Sequence, residues 1–477
     1  MPAVRVASRW IAIGFLLCTG SGLRAQEAAS VADALIAEGL THVVSEGELA
    51  SLRWPRLTDL TDDLRRAYDG NGWRPLWSHQ GLLTAPARAL LESLQDLGTR
   101  GLDPEDHDVA SLRALADSGL VSAADRVRFD MTLSVSALRT ILALRRGRIS
   151  ATEAHAHLQF PRDSVDYAAE LMRLAATTTP TALLDAQEPP YVHYRLLRDA
   201  LAVYRREAGT DSLARHRAQQ ITLTMERWRW LPHAFTTEPI IVNIPAFRLH
   251  ALAEGSDRES DMLSMDVVVG DAVFHQTPVF SDVMEYIVFA PYWDVPASIA
   301  AAELLPLARR DPHLLTVNNY EIVSAQGPVL TPSAASVRAV AEGRARIRQL
   351  PGGSNALGRV KFVFPNDFNV YLHDTPVKAA FLSDRRDISH GCIRIADPTA
   401  LARHLLRDQP AWDAAAIEAA MNRREPLRVP LSRGIPVHVL YATAVALEDG
   451  RVIFHDDIYG HDAALAAQLA RGYPYRR

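Results

Sequence analysis

A chain of 477 residues, 48% hydrophobic and 22% charged, carries enough apolar side chain for two or three domains with real cores. Its net charge of −5 provides no basic excess, so the composition argues against nucleic acid as a partner. The 28 prolines and 25 glycines are spread as turns and form no low-complexity tract.

Residues 1–25 have the order of a secretory signal peptide: Arg5 and Arg9, the apolar run WIAIGFLLC, then small residues up to Ala25. The run falls short of the ~20 residues that span a bilayer, and an uncleaved anchor is the alternative reading. Cys18 lacks the small residues that precede a lipidated cysteine. Cleavage near Ala25 removes it and leaves Cys392 as the single thiol of an exported chain.

Residues 28–220 read as a helical scaffold domain. In LTDLTDDLRRAYDG, APARALLESLQDLG, RVRFDMTLSVSALRTILALRRG and PPYVHYRLLRDALAVYRREAG, apolar residues recur at three-to-four spacing and Gly closes each run. The boundary falls at 215–235, where ITLTMERWRWLP predicts a helix leading into a different pattern. From residue 235 to 445, short β-branched runs such as EPIIVNIPAFRLHALAEG, MDVVVG, EYIVFAPYWDVP and KFVFPNDFNVYLHDTP predict a mainly antiparallel β domain. PASIAAAELLPLARRDPHLL and DPTALARHLLRD are helices within it, the latter capped by Asp397. Residues 446–477 form a C-terminal extension expected to pack on that domain. The fold class is α+β.

The chemistry concentrates in DISHGCIRIADP, residues 387–398. A lone thiol in an oxidising compartment is either buried or reactive. His390 and His373 are both in plausible range as a base, and Arg385, Arg386 and Arg394 make the local field positive. Gly391 removes a side chain beside the thiol, so its N–H and that of Cys392 are candidate oxyanion donors. A strand continuing from the loop puts Cys392 and Arg394 on one face. Zinc held by Cys392, His390 and His373 competes with the nucleophile reading, but neither C-x₂-C nor H-x₃-H is present.

YLHDTP followed by SHGCIRI, with His373 and Ser389 sixteen positions apart, resembles the signature of the L,D-transpeptidases, cysteine enzymes that crosslink bacterial peptidoglycan. RWRWLP, VNIPAFRL, PYWDVPASIA, LPGGSNALGRVKFVFPN and YATAVALEDGRVIFHDDIYG resemble the long Gram-negative branch of that family, and YDGNGWRPLW and RGLDPEDHD resemble its helical scaffold. The resemblance implies a periplasmic enzyme without cofactor or metal, acting on peptidoglycan stem peptides, with cell-wall synthases or envelope proteins as further partners. It implies Cys392 as nucleophile, His373 as base, and the Asp374 carbonyl as orienter of the imidazole. Gly391 and Cys392, with Tyr371, would hold the oxyanion, while Ser389, His390 and Arg394 would shape the pocket and meet substrate carboxylates. Trp293 and Asn355 read as architecture. The acceptor stays open between a 3-3 crosslink, a 1-3 crosslink, water and a protein lysine, and a non-catalytic envelope scaffold is the rival class. Two features of the branch differ or stand out. The wall-binding module usual between scaffold and catalytic domain is missing. Residues 314–358, with Arg338, Arg344, Arg346 and Arg348, occupy the place of a substrate-covering loop, either as a solvated basic face or as a lid.

Overall fold

The computed structural model describes residues 31–160, 164–209, 211–235, 237–251 and 262–472. The segment read as a signal peptide, with Cys18, lies outside the described residues.

The N-terminal half is helical, and helix α1 (Ala123–Arg146) runs through its middle. Ser122 and Asp125 form a capping box at its start, and it stops at Gly147 (φ 77°), a conformation that glycine adopts without steric cost. Nearly every residue from Phe129 to Leu144 is buried, polar ones included. Two of those polar groups carry long-range bonds. The Asp130 carboxylate accepts from Leu76 N, Trp77 N and Tyr68 Oη, and the Arg139 guanidinium donates to the carbonyls of Trp54 and Arg56. Helices α2 (Val192–Glu207) and α3 (Ser212–Trp228) then carry the chain straight to the first strand at Ile240, so no further module stands between scaffold and β region.

The β region is built on nine strands: β1 (Ile240–Asn243), β2 (Arg248–Ala251), β3 (Leu263–Gly270), β4 (Phe280–Phe289), β9 (Val360–Val363), β10 (Leu372–His373), β11 (Asp387–Ser389), β12 (Ile393–Ile395) and β13 (Leu427–Leu440). Their order is β11-β3-β12-β10-β9-β4-β13-β1-β2, and a β2–β3 pairing closes β3 to β2 into a ring, with β11 attached outside it to β3. Most pairs are antiparallel; β10–β12, β11–β3 and β13–β1 are parallel. Alternate side chains such as Val242, Val267, Ile287, Phe362, Leu372, Ile393 and Val437 fill the interior, joined by Leu401 and Ile417 from helices α5 (Pro398–Leu405) and α6 (Ala414–Met421). Asp397 caps α5 as its sequence predicts, accepting from Ala400 N at 2.9 Å.

Between β4 and β9 the chain leaves the barrel to build a second sheet from β5 (Trp293–Asp294), β6 (Tyr320–Ser324), β7 (Val329–Leu330) and β8 (Ala345–Gln349), in the order β5-β8-β6-β7. Helix α4 (Ala334–Ala341) and the helical stretch 297–317 close over it. This insert has its own core, including Leu304, Ala308, Ile322, Val337 and Ile347. The stretch expected to be a covering loop is therefore a folded subdomain. Three of its four arginines are paired: Arg344 with Glu342, Arg346 with Asp294 and Arg348 with Glu321.

The C-terminal segment turns back on both halves. A hairpin of β14 (Ala444–Ala446) and β15 (Val452–Phe454) packs on α2 and α3, where Ala444 and Ala446 meet Tyr194, Leu197, Leu201, Ile221 and Met225. Helix α7 (His461–Leu469) adds Leu465 and Leu469 to the barrel core, and its Asp462 pairs with Arg227 of α3.

Candidate active site

Strand register assembles the site. In the parallel β10–β12 pair Leu372 faces Ile393 and His373 faces Arg394. Leu372, Ile393 and Ile395 point into the core, so by the two-residue period Tyr371, His373, Cys392 and Arg394 share the opposite face. On the other side of β10, Lys361 of β9 faces His373. His373 is thus the middle of a row running Lys361, His373, Arg394, with Cys392 its diagonal neighbour.

Each reactive group is held by backbone. The His373 imidazole donates from Nδ1 to the Asp374 carbonyl at 2.5 Å, the bond that fixes its tautomer and leaves the Nε2 lone pair free to accept a proton. The Asp374 carboxylate does not touch the ring. It accepts from Arg359 N, Thr375 N and Lys378 Nζ, locking the turn whose carbonyl orients the histidine. Gly358 (φ 60°) lets that carboxylate approach, since a Cβ there would lie 2.4 Å from it. Burial pulls the His373 imidazole down to about 4, with Arg394 and Lys361 adding to the effect. Burial likewise pushes the Cys392 thiol above its ordinary value, against the opposing pull of hydrogen bonds from Tyr371 and of the cations Lys361 and Arg394. The thiol also lies 3.6 Å from the Asn369 carbonyl. Both shifts favour the uncharged forms, thiol and imidazole.

Three residues of the Cys392 turn are held by neighbouring groups. Ser389 is buried; its Oγ donates to the Cys392 carbonyl at 2.6 Å and accepts from Gly391 N at 3.1 Å. It staples the turn, and the Gly391 N–H is engaged there. His390 lines the cavity at Cys392, 3.7 Å from Glu303 of the insert and 4.6 Å, ring to ring, from His275. Arg385 and Arg386 add no free charge, since they pair with Asp387 and Asp266. Tyr371 is half-buried over the site, and burial together with Cys392 raises its phenol. Buried Asn355 ties together the carbonyls of Pro291, Gln349 and Leu350, and Trp293 packs on the insert core; both are architectural.

Other participants carry no signal in the sequence. Buried Thr277 donates to the Gly391 carbonyl and accepts from Gly270 N, both at 2.8 Å. Tyr459, from the C-terminal segment, donates to the Gly270 carbonyl at 2.6 Å and accepts from Thr277 N at 3.2 Å, bracing that support from behind. A cleft of about 500 Å³ opens at Cys392, and its far wall is His155 and His157 of the helical half. That wall is fixed to β4, because Ser281 Oγ donates to the Gln159 carbonyl at 2.7 Å. Among the described residues no three His, Cys, Asp or Glu side chains are grouped to hold a metal ion.

Residues 238–426 match the family model of the L,D-transpeptidase catalytic domain, and residues 62–201 match that of a scaffold domain. The chain carries an L,D-transpeptidase catalytic domain behind a scaffold domain. A protein of Haemophilus influenzae named "Putative L,D-transpeptidase" is 27% identical to it over 403 residues, covering 84% of this chain and 78% of that relative. Cys392, His373, Arg394 and Lys361 fall inside the matched catalytic stretch, whereas Tyr459 lies beyond its end. No helix among the described residues is long and apolar enough to cross a membrane.

Proposed function

We propose that this chain is a periplasmic L,D-transpeptidase that forms 3-3 peptidoglycan crosslinks through a thioester on Cys392. The observation that carries the reading is the backbone-fixed His373, with Nε2 available, on the same face as the only free cysteine among the described residues. Because thiol and imidazole both rest neutral, proton transfer from Sγ to Nε2 accompanies attack on the carbonyl carbon of the third residue of a tetrapeptide stem. The tetrahedral intermediate collapses with cleavage of the peptide C–N bond. The departing nitrogen takes the proton from His373 and leaves as terminal D-alanine. An amine of a second stem then attacks the thioester, His373 removes its proton, and the C–S bond breaks to regenerate the thiol. Oxyanion stabilisation falls to the Cys392 N–H and the Tyr371 hydroxyl, given that the Gly391 N–H is engaged by Ser389. Residues 28–220 and the C-terminal extension serve as a frame that supplies the far cleft wall and the Tyr459 brace.

Replacing Cys392 by Ala removes the only group able to form the acyl-enzyme. Crosslinked dimer should vanish when purified disaccharide-tetrapeptide is incubated with the variant and products are read by mass spectrometry. Retained dimer formation would sink the mechanism. The same spectra distinguish the other acceptors, since water yields a tripeptide stem, stem position one a 1-3 link, and a protein lysine an adduct. A carbapenem adduct on Cys392 separates an enzyme from a non-catalytic scaffold.

A further inference from the structure

Beyond the far wall of the Cys392 cleft, the helical half and the barrel leave a second groove of about 680 Å³. His157 and Phe368, 4.6 Å apart ring to ring, line both cavities, so the groove opens from the edge of the cleft. Its sides are the segment 157–160, Phe235 and Thr237 after α3, Ser281 to Val283 of β4, and the turn 365–368 between β9 and β10. Phe160, Phe235 and Phe368 present aromatic rings to it, the last 37% exposed. Between the rings stand polar side chains with no structural task. Among the described residues Gln159, Thr237 and Asp367 make no side-chain hydrogen bond, and Asp282 accepts only from the adjacent Val283 N.

The floor of the groove holds His438 of β13, which stands opposite Ser281 of β4 and packs between Phe160 and Phe235. It is 6% exposed, and neither ring nitrogen meets a hydrogen-bonding group among the described residues. Burial pulls this imidazole down to about 4, so it is neutral and has one donor and one acceptor unused. Buried polar atoms left unmatched are costly, and a ligand with hydroxyl or amide groups can satisfy both. No lysine or arginine is among the lining residues, and Asp282 and Asp367 lie in one another's field, so the groove repels anions. A pyranose ring suits what remains: its C–H face lies against an aromatic ring while its hydroxyl rim donates to carboxylates.

We propose that this groove binds the N-acetylhexosamine chain that carries a stem lying at Cys392. The inference rests on the transpeptidase reading above and adds a site for the glycan part of its substrate. A stem of three residues spans about 10 Å when extended. A stem with its third residue at Cys392 therefore carries its sugar out of the 500 Å³ cleft, and the groove begins at that edge, at His157 and Phe368. The helical half supplies one side of the groove, which gives it a part in holding the polymer.

The test separates sugar from stem. Chitotetraose, a neutral N-acetylglucosamine chain without peptide, should bind the wild-type protein and Cys392→Ala alike in isothermal titration. Phe235→Ala removes a ring and Asp367→Asn removes a charge from an exposed turn. Each should weaken the binding by about tenfold, the scale of one charge-assisted or stacking contact. Asp367 makes no side-chain bond within the protein, so its variant keeps the fold even if Phe235→Ala does not. No chitotetraose binding by wild type, or binding unchanged in Asp367→Asn, would overturn the proposal. This readout needs no turnover, so it stands or falls apart from the transpeptidase reading. A second measurement compares donors. Wild type should use disaccharide-tetrapeptide with a KM at least about tenfold below that of the free tetrapeptide and with similar kcat, and Asp367→Asn should narrow the gap. Equal KM values in wild type would detach the groove from the stem and overturn its assignment.

Discussion

The helical half and the catalytic cleft treat positive charge in opposite ways. In the helical half Arg229 is fully buried, bonded to Glu226, to the Tyr194 hydroxyl and to the Arg100 carbonyl. Arg100, also buried, meets Asp185 and Glu188. These cations are completed by their own chain, and what they do is hold helices together. Beside His373, Lys361 and Arg394 are only half-buried and, among the described residues, make no ion pair. The same residue types are thus fully buried and paired in one region, half-buried and unpaired in the other. The insert is a third case: Arg344 and Arg346 are paired and exposed, which is a solvated face.

The difference can be broken from its strongest side first. Glu226 is fully buried and accepts from Arg148 N, Ile149 N and Arg229, so Glu226→Ala strands a buried guanidinium and two backbone donors. The expected loss is about 3–5 kcal/mol, read as a lower urea midpoint. A variant as stable as wild type would mean that the buried network contributes little. Lys361→Met, which removes a cation without a partner, should do the reverse. Stability should hold or rise by up to about 1 kcal/mol, and a marked fall in Tm would show that Lys361 is architectural after all. Arg346→Ala breaks an exposed pair with Asp294 and should shift stability by less than about 1 kcal/mol, with turnover unchanged. A large loss there would place the insert's salt bridges with those of the helical half.

What the sequence discloses and what it hides follow from distance along the chain. The helices of the first half are legible because their signals are local: a capping box at Ser122, glycine at 147, an apolar period between them. Cys392 and His373 are legible because the motif keeps them nineteen residues apart on adjacent strands. Lys361 stands next to His373 only through the β9–β10 register, and Tyr459 reaches the Cys392 turn only after the chain has closed the barrel and turned back. No spacing rule covers such meetings. Ser389 is the converse case. Its place in the motif suggests substrate contact, but burial and two hydrogen bonds commit it to the turn. The insert reads as loop because its strands are short and its core joins residues as far apart as Val295 and Ile347.

The hairpin that closes over α2 and α3 has a consequence for the order of events during synthesis. The stripe of Tyr194, Leu197 and Leu201 is translated some 240 residues before Ala444 and Ala446, which cover it. Until then a finished helix pair presents bare apolar surface while the intervening barrel is made. The larger core of the helical half is independent of that segment, but its last apolar cluster waits for almost the end of the chain. Synthesis that stalls before residue 444 therefore releases a product with an exposed seam, a ready substrate for chaperones and proteases.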